Sequence, residues 1–151
     1  MADQTQCPPA LPELVPALSV RDPGASLAWF AKLGFQAVET VSLPDGVVGH
    51  ARLARRGAQL MLGPSCQPEL GVHSLALYVS LQDECVDDLY AQAQQAGVVI
   101  VQPPRDQFWG DRTFEVQHPD GYRIVFAQHV RDVPAAELEE AVARFAAERS
   151  A

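Results

Sequence analysis

The chain has 151 residues, of which 48% are hydrophobic and 20% charged, with a formal net charge of −8. A chain of this length buries about two-thirds of its unfolded surface and needs no staples, and its acidity argues against a phosphate-backbone partner, whose recognition needs clustered Lys and Arg. Three cysteines without a Cys-x-x-Cys spacing suggest neither a disulfide framework nor a thiolate zinc site and fit a reduced cytoplasm, while no basic-then-apolar leader and no window of about 20 apolar residues argue against export or membrane insertion.

After a Pro-rich lead-in over 1–13, the alternation from Leu14 to Val20 predicts a strand. Asp22 is placed to cap a helix with Pro23 in its first turn, and Leu27, Phe30 and Ala31 make an apolar stripe that stops at Gly34; Trp29 lies off that stripe. Strand-like runs follow at Gln36 to Val41, Val47 to Ala54 and Ala58 to Leu62, the first two separated by the turn residues Pro44, Asp45 and Gly46. Residues 14–63 therefore read as a βαβββ module.

A connector over 64–71 comes next, in a stretch rich in proline and glycine. The order then begins again over 72–130. "HSLALYV" is a strand, Ser80 with Asp83 suits a capping box, and Val86, Leu89, Tyr90 and Ala93 make a helical stripe ending at Gly97. "VVIV" is a strand, and Phe108 to Val130 reads as two more strands joined at Pro119-Asp120-Gly121. Aligning the halves sets Leu18 and Val20 on Leu77 and Val79, Gly34 on Gly97, the Pro44 turn near the loop around Pro103, and "AQLML" on "YRIVF". Residues 131–151 form a last helix whose face is Leu138, Ala141, Val142 and Phe145, with acids early and arginines late, suited to pack on the domain or on a partner subunit.

Two βαβββ modules, with "VPALSVRD" opening the first and "FWGDRTFEVQHPDGYRIVFAQHVRDV" closing the second, resemble the glyoxalase/bleomycin resistance/dioxygenase (vicinal oxygen chelate) superfamily over roughly Leu14 to Val133. The resemblance implies an α+β fold of two curved mixed sheets, a cavity enclosed by two modules, and a homodimer. In metal-dependent members His, Gln or Glu stand on the first and last strand of each module. Carried over, those positions fall on Val15, Met61, Ser74 and Val125. Neither Val nor Met is a ligand for a hard divalent ion and Ser is a poor one, so no metal or other cofactor is expected. His73, one residue away, would point to the opposite face of its strand.

Other residues carry chemistry. His50 alternates with Ala51 and Leu53 and faces the proposed cavity, or else makes a structural bond. Phe108 and Trp109 precede Gly110 on a Pro-rich loop and suit the rim of a pocket, with Asp111 and Arg112 offering polar contacts or an ordinary surface ion pair. By strand parity Tyr78 shares the face of Ser74, and Arg123 that of Val125. His118 belongs to an exposed turn, and His129 follows the last strand and orders the final helix. The sequence holds no dinucleotide fingerprint, phosphate loop, His-Glu-x-x-His or Gly-x-Ser-x-Gly.

The expectation is a metal-free, cytoplasmic binding protein of the bleomycin-resistance type. It would hold a small planar or cationic molecule against His50, Met61, Ser74, Tyr78, Phe108, Trp109, Asp111, Arg112 and Arg123, with no nucleic-acid or membrane partner. The alternative is a metal-dependent lyase, isomerase or dioxygenase with a displaced site at His50, His73 and Glu115. A third is an idle interaction domain.

Overall fold

The computed structural model describes residues 10–65 and 75–150, which fall into two compact units. The first runs β1 (Ala17–Val20), α1 (Pro23–Ala31), β2 (Gln36–Ser42), β3 (Val48–Arg55) and β4 (Ala58–Pro64). The second runs β5 (Ala76–Leu81), α2 (Val86–Gln95), β6 (Val99–Asp106), β7 (Asp111–Gln117), β8 (Arg123–His129) and α3 (Ala135–Arg149). The sheets have the same order, β1-β4-β3-β2 and β5-β8-β7-β6, with the first pair parallel and the others antiparallel. The predicted α+β fold of two repeated βαβββ modules with a C-terminal helix is what the chain adopts.

Local chemistry sets the elements. Asp22 Oδ1 accepts from the Ala25 N–H at 3.0 Å, the expected cap of α1. The buried side of α1 is Ser26, Trp29 and Phe30, whereas Leu27 is half-buried and Ala31 exposed. The stripe is thus rotated from the expected one, because the face shared by Trp29, Phe30 and Leu33 removes more apolar area from water than Leu27 and Ala31 could. Trp29 and Phe30 meet edge to face at 4.9 Å. In α2 the expected stripe holds, with Val86, Leu89 and Ala93 buried and Tyr90 against Phe114.

The capping box at Ser80 and Asp83 does not form. Ser80 lies within β5, α2 starts after Cys85, and the Val86 N–H donates instead to Gln128 Oε1 at 2.9 Å. A long-range side chain has replaced the local cap.

The register sharpens the repeat. Both helices close on a left-handed glycine, Gly34 (φ +87°) and Gly97 (φ +77°), and each following strand carries a bulge at the same place, between Ala37 and Glu39 and between Ile100 and Gln102. Counting from these landmarks, Arg52 matches Glu115 and Met61 matches Val125. Ala17 then matches Tyr78, so Val15 corresponds to Ala76 rather than Ser74, and Leu18 to Val79 rather than Leu77. The reason is the connection from β5 to α2, Gln82 to Cys85, which is longer than Arg21-Asp22 before α1. Likewise the turn matching Pro44 to Gly46 is Gln107 to Gly110, while Pro103 and Pro104 lie inside β6.

Each core lies between a sheet and its helix. Leu53, Leu62 and Phe30 fill the first, and Phe114, Phe126 and Ile124 the second, with Phe114 and Phe126 stacked at 5.2 Å. His118 is buried here, not exposed as expected. Its Nδ1 accepts from the Asp120 N–H at 2.9 Å and its ring meets Tyr122, so the imidazole closes the turn from inside and burial holds its pKa below the ordinary value. Helix α3 buries no residue and leaves Val142 and Phe145 exposed.

Candidate functional site

Alternation gives each strand a helix-covered side and an open side. In the second unit the register lines up Tyr78, Val125, Glu115 and Gln102 in one row on the open side. Phe114, Val116, Ile124 and Phe126 occupy the other side, all fully buried. Tyr78, Arg123 and Val125 therefore share a face, as parity predicted.

The turn before β7 brings chemistry to this face. Gln107 N–H donates to the Asp111 carbonyl at 2.7 Å and Gly110 N–H to the Gln107 carbonyl at 3.1 Å. Gly110 has φ +100°, and its carbonyl accepts from the N–H groups of Val130 and Arg131. A Cβ there would run into the Arg131 carbonyl, so only glycine allows this approach. The tight turn leaves Phe108 and Trp109 edge to face at 5.0 Å and about two-fifths exposed. They stand on a turn between strands, not on a Pro-rich loop.

Asp111 gathers the cluster. Tyr78 donates to its Oδ2 at 2.6 Å, and the Trp109 indole N–H lies 3.2 Å from both that oxygen and the Tyr78 hydroxyl. His129 places Nδ1 3.1 Å from Asp111 Oδ1 and Nε2 2.8 Å from Asp132 Oδ1. Burial alone would raise the Asp111 carboxyl, but hydrogen bonds from Tyr78, His129 and Trp109 hold it below its usual value. The Tyr78 phenol is pushed up to about 12, first by desolvation and then by Asp111. His129 is raised by Asp132 and then Asp111, so its protonated form bridges two carboxylates. His129 belongs to β8 itself and ties that strand to the segment leading into α3. Two exposed aromatic faces and a half-exposed phenol around an ionised carboxylate form a surface suited to a cation or a flat ring.

Arg112 takes no part in it. As the next residue along β7 it points the other way, donating to both Asp87 oxygens at 2.9 Å and to Asp106 at 3.0 Å. Those carboxylates raise its guanidinium, and Asp87 is lowered in turn. No Asp111–Arg112 ion pair forms. Arg123 instead grips Glu115 through Nε and Nη2, and Glu115 is 7% exposed.

In the first unit Ala17, Met61, Arg52 and Glu39 make the corresponding open row. His50 stands half-buried on the same side, opposite Val41. Ser74 and His73 lie outside the described residues.

Among the described residues, those matching the superfamily's metal positions do not fit a metal: Val15, Met61 and Val125 offer no hard donor, and neither does Ala76, which the register matches with Val15. Among the described residues no three His, Cys, Asp or Glu side chains gather as a metal site. A polar depression of about 400 Å³ at the end of β5 is lined by Ser80, Gln82, Asp83, Glu84 and His129. Of the network around Asp111 it touches only His129, a residue that sequence reasoning assigned to helix ordering; its period-two spacing from Ala127 and Val125 was the available signal.

Comparison with known proteins gives a consistent result. A family model described as Glyoxalase/Bleomycin resistance protein/Dioxygenase superfamily matches residues 13–126. An uncharacterized protein of Mycobacterium bovis is 34% identical over 143 residues, covering 87% of this chain and 92% of that protein. TioX from Micromonospora sp. ML1 matches with 26% identity and a TM-score of 0.63, over 78% of this chain and 98% of its own. A bleomycin-binding protein complexed with bleomycin shares the fold at 20% identity, with a TM-score of 0.58 over 78% of this chain and 98% of its own.

Proposed function

Because the chain belongs to the glyoxalase/bleomycin resistance protein/dioxygenase superfamily, we propose that it is a metal-independent binding protein that sequesters a planar or cationic small molecule. The observation that carries this reading is the cluster of Tyr78, Phe108, Trp109 and Asp111. An ionised carboxylate held at the polar edges of Tyr78 and Trp109 attracts a cation at little reorganisation cost, and the rings add area for a flat group. Sequestration needs affinity and abundance, with no bond made or broken. Arg123, on the same sheet face as Tyr78, completes the lining in this reading, and a cytoplasmic homodimer is its setting, with the apolar side of α3 available for the contact. No helix among the described residues is long and apolar enough to cross a membrane.

The enzymatic alternative, a displaced metal at His50, His73 and Glu115, loses support because Glu115 is already held at both oxygens by Arg123. The test is a fluorescence titration with bleomycin and with a planar cationic dye. Saturable quenching in the wild type that disappears in Trp109→Phe is expected. No quenching, or quenching unchanged in the variant, sinks the reading.

A further inference from the structure

Helix α3 follows the region shared with the superfamily, whose match ends at residue 126, and it buries no residue. Along its 15 residues, about 22 Å of helix, Leu138, Ala141, Val142 and Phe145 recur at three- and four-residue spacing and make one apolar stripe. Leu138 and Ala141 are half-buried, while Val142 and Phe145 are each 54% exposed. The Arg149 guanidinium stands 5.8 Å from the centre of the Phe145 ring and still leaves it in water. The approach to the helix is fixed by the Gly110 carbonyl, which accepts from Val130 and Arg131, and by Arg131, which holds Glu137 at 2.6 Å.

The charges beside the stripe select what can cover it. The first half of α3 carries Glu137, Glu139 and Glu140, and the second carries Arg144 and Arg149 with Glu148. Glu137 and Arg144 are seven residues apart, so they lie on the same flank of the stripe two turns from each other. Laid against a parallel copy of α3, each flank charge would meet its own kind. Laid against an antiparallel copy, Glu137 of each chain meets the partner's Arg144, because in a two-fold contact residue i touches j and j touches i. This ion pair puts the two-fold axis between Glu140 and Ala141, and the stripe from Leu138 to Phe145 is centred one residue further on. One axis therefore serves the charges and the apolar residues together, and opposed helix dipoles favour the same arrangement.

We propose that α3 is the surface on which two copies of this chain meet, as an antiparallel helix pair with Leu138, Ala141, Val142 and Phe145 interleaved across the axis and a Glu137–Arg144 ion pair at each end. Glu137 then bridges Arg131 of its own chain and the partner's Arg144. The pairing rests on the homodimer of the proposed function and not on its ligand. The stripe is small beside the roughly 1,200–2,000 Å² of a standard interface, so the α3 contact is reversible and the dimer population follows protein concentration.

The test is sedimentation equilibrium of the full chain over about two decades of protein concentration. A monomer–dimer equilibrium is expected. Val142→Glu and Phe145→Glu, both at exposed positions, should each weaken it by about tenfold or more while circular dichroism stays that of the wild type. Arg144→Glu should weaken it by about fivefold, and adding Glu137→Arg to that variant should strengthen it again, since the exchanged charges once more face their opposites. A chain that stays monomeric at every concentration overturns the proposal together with the homodimer and leaves the stripe to a different protein. A dimer indifferent to Val142→Glu and Phe145→Glu overturns the α3 pairing alone and keeps the homodimer on another face. A double variant no stronger than Arg144→Glu overturns the antiparallel arrangement.

Discussion

Tyr78 and Asp111 are joined by a 2.6 Å hydrogen bond from phenol to carboxylate, although their strands, β5 and β7, are not neighbours in the sheet. The bond links β5 to the start of β7 across β8, and Trp109 donates to the same oxygen. Replacing Asp111 with Asn removes the charge and keeps the shape. Binding of a cationic dye should weaken by about tenfold, equivalent to about 1.4 kcal/mol. The Tyr78 phenol should titrate lower than about 12 yet stay above its ordinary 10.0, because burial, the larger cause, remains. Ultraviolet titration of the tyrosinate checks the second point.

His118 and His129 should pull stability in opposite directions with pH. The folded chain disfavours a proton on buried His118, so the unfolded state binds it more readily and stability falls as pH drops below about 6.5. His129 is raised by Asp132 and Asp111, so its contribution is complete below about pH 6.5 and is lost as pH rises through its raised value. Urea midpoints should therefore differ most between wild type and His129→Gln in mild acid and converge in alkali. Substituting His118 with Gln should flatten the acid side instead.

The Glu115–Arg123 pair is asymmetric in exposure. The Glu115 side chain is 10% exposed and the Arg123 side chain 39%. Arg123→Met leaves a nearly buried carboxylate without its partner and should cost about 1–3 kcal/mol. Glu115→Gln leaves an arginine that can turn to water and should cost less. Denaturant unfolding of both variants checks the order, and the reverse order would contradict it.

Gly110→Ala should destabilise the chain by about 1–3 kcal/mol, since it meets both a left-handed backbone and the Arg131 carbonyl. Displacement of the turn should also expose Trp109, seen as a red-shifted emission. Gly46, with φ +85° and open space around its missing Cβ, serves as the control and should lose only about 1 kcal/mol.

Much of the scaffold was legible because it rests on local chemistry. Asp22, Gly34 and Gly97 set the helix limits through caps that need only neighbouring residues. Parity groups Arg123 with Val125 and points Tyr78 the same way, and the register sets Tyr78 beside Val125. What failed depended on distance. The cap of α2 comes from Gln128, far along the chain, and no short-range pattern encodes it. Arg112 looked like a partner for Asp111 because the turn was read as a longer loop; once β7 begins at Asp111, neighbours must diverge. His118 sits in turn-forming sequence, yet its ring folds inward to serve the Asp120 N–H. Arg52 drew no notice, since an arginine two residues from His50 on an alternating strand looks solvated until burial is known.

Pro103 and Pro104 have a further effect. Strand β6 is the outermost of its sheet, and Val99 and Val101 lie exposed along it. Such a margin would ordinarily recruit a foreign strand, but two successive residues without N–H groups, beside a break in register, interrupt the ladder any newcomer would need. Chain geometry thus guards this border against aggregation.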